Sequence, residues 1–97
     1  MNDNELAEYQ GQLVRVTYAN GTPYCAVGRV QGITPESIIL FPATNEYKDI
    51  DEKARRRLRR IFSTDGWTGD AAFQNAFDDG HHKVKREDLA GIERLVL

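Results

Sequence analysis

Ninety-seven residues, 40% of them hydrophobic, suffice for one small core and are too few for two domains. A formal net charge of −2 leaves no global basic field, so a surface for anions has to come from local clustering. The single cysteine excludes a disulfide framework. No apolar run reaches the ~20 residues of a membrane span, and the acidic start (Asp3, Glu5, Glu8) is unlike a signal peptide, so the expectation is a soluble cytoplasmic chain with no membrane partner.

Taken in order, Asn2 or Asp3 can cap a short helix running to about Tyr9 or Gln10, with Leu6 and Tyr9 as its apolar edge and Gly11 as its stop. Residues 12–41 then carry three apolar runs separated by turns. Val14, Val16 and Tyr18 alternate with Arg15 and Thr17, the period of a strand with one buried face. Asn20-Gly21 supplies the positive φ of a tight hairpin. In the second run Val27 and Val30 are three apart and cannot share a face of a regular strand; Gly28 between them predicts a bulge or sharp bend. Thr34-Pro35-Glu36-Ser37 reads as the next turn. Ile38 to Phe41 reads as a strand apolar on both faces, closed by Pro42.

From residue 43 to residue 62 the period becomes helical, with Ile50, Ala54, Leu58 and Ile61 or Phe62 in one stripe. Asp49 with Glu52 matches a capping box, and pairs four apart are expected: Asp49 with Lys53, Asp51 with Arg55, Glu52 with Arg56. Residues 63–81 are turn-rich. Asp70 is placed to cap a short turn that puts Ala72, Phe73, Ala76 and Phe77 on one face, with Trp67 nearby. Period 2 returns at His82, Val84 and Arg86, and residues 89–97 read as a last strand anchored by Ile92, Leu95 and Leu97. The expected fold is mainly β: a five-stranded small barrel in one domain, 1–97, with a short N-terminal helix and a helical insertion at about 43–81.

This order resembles the Sm-like (LSm) family, over residues 11–41 and 82–97. The likeness is carried by Val14-Arg15-Val16, Asn20-Gly21, Gly28-Arg29-Val30-Gln31-Gly32, the aliphatic run Ile38 to Phe41, and Val84-Lys85-Arg86-Glu87-Asp88-Leu89. Thr34, and Ser37 or Ile38, stand where the family has a nucleotide-holding Asp and Asn. Glu87 replaces a glycine, and the insertion is longer than usual. A generic SH3-like barrel is the rival. The resemblance implies subunits that join edge to edge into a ring. Leu95-Val96-Leu97 reads as the exposed edge that would do so, making a cyclic homo-oligomer.

Six basic residues lie between Lys53 and Arg60, of which Arg55, Arg59 and Arg60 can form an outward face for phosphates. The bland reading is a solvated helix with internal ion pairs. Lys83-Lys85-Arg86 is a second basic patch. By resemblance Lys85 and Arg86 face a ring's pore, with Ser37 in the adjoining turn holding a nucleotide. Phe41, Tyr47 and Trp67 are candidates to stack on bases, set against a role in the core. Adjacent His81 and His82 would point to opposite faces of a strand and so do not suit one metal ion. Cys25 lacks the surroundings of a nucleophile. The expectation is a non-enzymatic module with no cofactor that binds single-stranded RNA, or single-stranded DNA, as a homo-oligomeric ring. The alternatives are a protein-interaction or structural subunit and, more remotely, a small hydrolase using the His81-His82 region.

Overall fold

Alternation of apolar side chains builds one antiparallel sheet with the order β4-β3-β2-β1-β5. The computed structural model describes residues 3–63 and 81–97. The strands are β1 (Leu13–Tyr18), β2 (Tyr24–Ile33), β3 (Ser37–Tyr47), β4 (His82–Lys85) and β5 (Leu89–Arg94). Helix α1 (Asp3–Ala7) precedes them, α2 (Glu52–Phe62) follows β3, and a 3-10 turn (Arg86–Asp88) joins β4 to β5. The sheet is open: among the described residues its edges, β4 and β5, do not pair with each other. The expected excursion built on Trp67, Asp70, Ala72, Phe73, Ala76 and Phe77, with the turn at Asp78-Asp79-Gly80, lies outside the described residues, as does Asn2.

The sheet nevertheless curls. The Tyr18 hydroxyl on β1 lies 2.5 Å from Nε2 of His82 on β4. Two strands separate β1 from β4, about 14 Å in a flat sheet at ordinary strand spacing. Bending brings all five inner faces together, so that Val14, Val16, Ala26, Val30, Ile38, Leu40, Ala43, Val84 and Ile92 share one core with Leu6 of α1. Helix α1 stops at Ala7, short of the expected Tyr9 or Gln10; Gly11, at φ +77°, closes the turn that follows, and its N–H donates to the Val30 carbonyl.

The bend expected at Gly28 is present. The β2–β3 register slips between Gly28 and Val30 and again before Gly32. A Cβ at Gly28 would stand 2.7 Å from the backbone oxygen of Pro42, so no side chain fits there. Val27 and Val30 accordingly belong to different cores. Val27, Cys25 and Leu58 form a second one on the outer face, with Leu13, Ile50, Phe62, Leu95 and Leu97 packed against it.

Several expectations are corrected. The Asn20-Gly21 connection is wider than a tight hairpin: it spans residues 19–23, with Gly21 at φ +74° and the Asn20 side chain accepting from the Thr22 N–H. Pro42 does not close β3, which runs on to Tyr47. It falls in the slipped register and past the end of the β4 pairing, where neither ladder asks for its missing N–H. Residues 43–47 are therefore strand, and the helix starts at Glu52. Its cap is Asp51, whose carboxylate accepts from the Ala54 N–H 2.8 Å away, while Asp49 lies off the helix. Of the expected stripe, Leu58 is fully buried, with Phe62 and Ile50, which precedes the helix, packed beside it.

The largest correction concerns Leu95-Val96-Leu97. These residues are not a strand edge, since β5 ends at Arg94. Leu95 and Leu97 have the outward parity of the strand and tuck under α2. Only Val96 is strongly exposed, at 81%. The greasy rim is covered by the chain itself.

Candidate nucleic-acid interface

The slip at Gly28 divides the outer face of the sheet into two halves. Over the first lies α2. Glu46 of β3 is buried there, accepting from the Thr44 hydroxyl at 3.0 Å and paired with Arg57 of α2. A buried carboxylate needs such partners, because removing it from water unpaired is costly. Arg55 donates to the Val96 carbonyl at 2.6 Å, and Arg59 donates to the Leu97 carbonyl at 3.0 Å and to Glu52 at 2.9 Å. The pairs expected four apart along the helix are not those formed. The helix arginines hold the sheet and the tail instead, and Asp51 is occupied as the cap.

The second half of the face is built by β3 and β4. Their register opposes Ser37 to Lys85 and Ile39 to Lys83. Ile38 and Leu40, with His82 and Val84, point inward and are buried. Ser37, Ile39 and Phe41 therefore form one outward row, and Lys85, Lys83 and His81 the row beside it. Phe41 and His81 stack at the far end, ring centroids 4.7 Å apart and planes 24° from parallel. Lys83 and Lys85 are exposed and make no ion pair with any described residue.

At the near end the Thr34–Ser37 turn is locked by one hydroxyl. Thr34 Oγ1 accepts from the Ser37 N–H at 2.9 Å and lies 3.0 Å from Ser37 Oγ. The Arg86 N–H donates to the Glu36 carbonyl at 2.9 Å, which fastens the β4 end to this turn. An open groove of about 870 Å³ runs between turn and strand. Glu36 and Glu87 also border it, so its cationic character comes from the lysine row.

The six residues singled out in the sequence thus fall into two groups. Ser37, Lys85 and Arg86 come together, although Arg86 is ion-paired with Asp3 of α1. Arg55, Arg59 and Arg60 stand apart on α2, and the first two are bound to the tail. Lys83 and His81 were not among the six. Period 2 alone places Lys83 beside Lys85, so the signal for it was present. Nothing in the sequence pairs His81 with Phe41, because that contact depends on the register of two strands far apart in the chain.

The two histidines do diverge as expected. His82 is buried inside, where desolvation pushes its imidazole down to about 4. Burial, with a smaller contribution from Cys25, pushes the Tyr18 phenol up to about 12. At neutral pH the bond therefore joins an un-ionised phenol to an uncharged imidazole, its direction following the imidazole tautomer. Burial likewise raises the Cys25 thiol, which suits packing and not nucleophilic attack. Among the described residues no three His, Cys, Asp or Glu side chains gather as metal ligands, and no helix is long and apolar enough to cross a membrane.

Comparison of this chain with protein-family models, with curated proteins and with solved structures found no match.

Proposed function

We propose that this protein is a nucleic-acid-binding module without enzymatic activity, and that it grips the phosphate backbone of RNA, or of single-stranded DNA, along the lysine row of β4. The observation that carries the reading is the β3–β4 register: it sets two exposed lysines, neither ion-paired with a described residue, in line next to the Ser37 turn. Lys83 and Lys85 neutralise phosphates, Ser37 offers a hydroxyl, and Arg86 joins when phosphate displaces Asp3. The α2 arginines serve mainly to hold the molecule together.

The curled five-stranded sheet with β4 and β5 at its edges supports an Sm-like barrel. It also supports a ring in which β4 of one copy pairs with β5 of the next. The oligomer then rests on those strand edges and not on Leu95 to Leu97. Sedimentation at micromolar concentration should give a closed oligomer, and a monomer overturns that part. Oligonucleotide titrations at two salt concentrations test the rest. Affinity should fall steeply with salt, and Lys83→Ala and Lys85→Ala should each reduce the slope of log affinity against log salt by about 1. Absence of binding at low salt overturns the assignment.

A protein-interaction subunit is the second reading, favoured by one observation. Tyr24 and Tyr47, 38% and 65% exposed, lie with their rings 5.0 Å apart at the end of β2 and β3 opposite the lysine row. A partner protein recovered after nuclease treatment, and lost when both tyrosines become serine, would support it.

A further inference from the structure

We infer that the Phe41–His81 pair is a base-stacking platform and that the nucleic acid lying on it is single-stranded; this rests on the phosphate-binding reading above. Among the described residues Phe41 is a large apolar side chain in neither core, and its partner His81 lies outside both. Phe41 instead lies half-buried on the outer face against His81. Stacking spends one face of each ring on the other, so a base would take the opposite face of a ring, at the end of the lysine row beyond Ile39. Along an extended strand, Lys83 lies roughly 7 Å and Lys85 roughly 14 Å from His81.

A strand whose backbone follows the lysines therefore carries its bases across β3, onto Ile39 and then the rings. Unpaired bases expose faces that stack on aromatic side chains, whereas a duplex keeps them inside its own stack. Every base has such a face, so the platform tolerates any sequence. A duplex on the same surface would meet the lysines and leave the rings unused.

Fluorescence-anisotropy titrations of the full chain test this, using labelled oligo(U) and oligo(A) and a duplex of equal length. Phe41→Leu and His81→Ala should each weaken single-strand binding roughly 5- to 100-fold. They should leave the salt slope unchanged, whereas the lysine variants change it. Phe41→Tyr keeps the ring and should bind like the parent, which separates stacking from any loss of fold. Circular dichroism of each variant reports that fold. Parental affinity in a folded Phe41→Leu overturns the platform while leaving the phosphate grip intact. Duplex binding as tight as single-strand binding overturns the single-stranded assignment. No binding of the parent to either overturns both readings.

Discussion

The two halves of the outer sheet face use their charges oppositely. Under α2, Arg55, Arg57 and Arg59 are spent on Glu46, Glu52 and the carbonyls of Val96 and Leu97. Beyond the Gly28 slip, Lys83 and Lys85 stand beside apolar and aromatic side chains and form no ion pair with a described residue. A dense basic run in the sequence is thus a poor guide to which cations stay out of internal ion pairs and carbonyl contacts. Arginine's planar fork suits fixed carbonyl and carboxylate partners, so a helix rich in it is well made for docking.

The comparison breaks first at its dividing line. Gly28→Val places a side chain against backbone at Pro42, where no rotamer change gives relief. It should cost about 4 kcal/mol or more, seen as loss of cooperative urea unfolding. Next, Leu58→Ala empties the centre of the second core. A loss of about 3 kcal/mol is expected, with α2 amides losing hydrogen-exchange protection before those of β3 and β4.

Arg57→Ala leaves the buried Glu46 carboxylate with the Thr44 hydroxyl but without its cation. Since Arg57 itself is partly exposed, about 1–2 kcal/mol of destabilisation is expected, with nucleic-acid affinity unchanged. A large loss of affinity in a folded Arg57→Ala would contradict the division of labour between the two halves.

The inner core adds a pH signature that belongs to neither half. His82 stays neutral when folded down to about pH 4, while the unfolded chain protonates it near 6.5. Below 6.5 the unfolded state binds the extra proton, so stability is full above that pH and falls as the pH drops toward 4. Urea midpoints from pH 7.5 to 4 should show this decline. His82→Leu, though less stable throughout, should flatten it between 6.5 and 4.

The smallest effect sharpens the contrast. Lys83→Ala with Lys85→Ala should move the unfolding midpoint by less than about 0.5 kcal/mol, because both are exposed and unpaired. Arg55→Ala with Arg59→Ala should cost about 1 kcal/mol through the released tail.

Much of the fold was legible because its causes are local. Val14 and Val16 announce β1 by alternation, Gly11 and Gly21 mark positions of positive φ, and Gly28 marks the bend. The stripe through Leu58 announces α2. The candidate site was half legible: Ser37, Lys85 and Arg86 read as neighbours, while Phe41 read as either a stacking group or core, and the arginines as either a phosphate face or a helix with internal ion pairs.

What the amino-acid order determined by itself was the set of elements and their buried sides, since hydrophobic period and glycine placement act within a few residues. Tertiary structure alone decided that β3 continues through Pro42, that Leu95 and Leu97 fold under α2, and which cations stay out of internal ion pairs. Each of these depends on what lies opposite in space: a missing neighbour strand for Pro42, an apolar helix face for the tail, a carbonyl or carboxylate for each arginine. Partners of that kind are set by register and docking, which no short stretch of sequence contains.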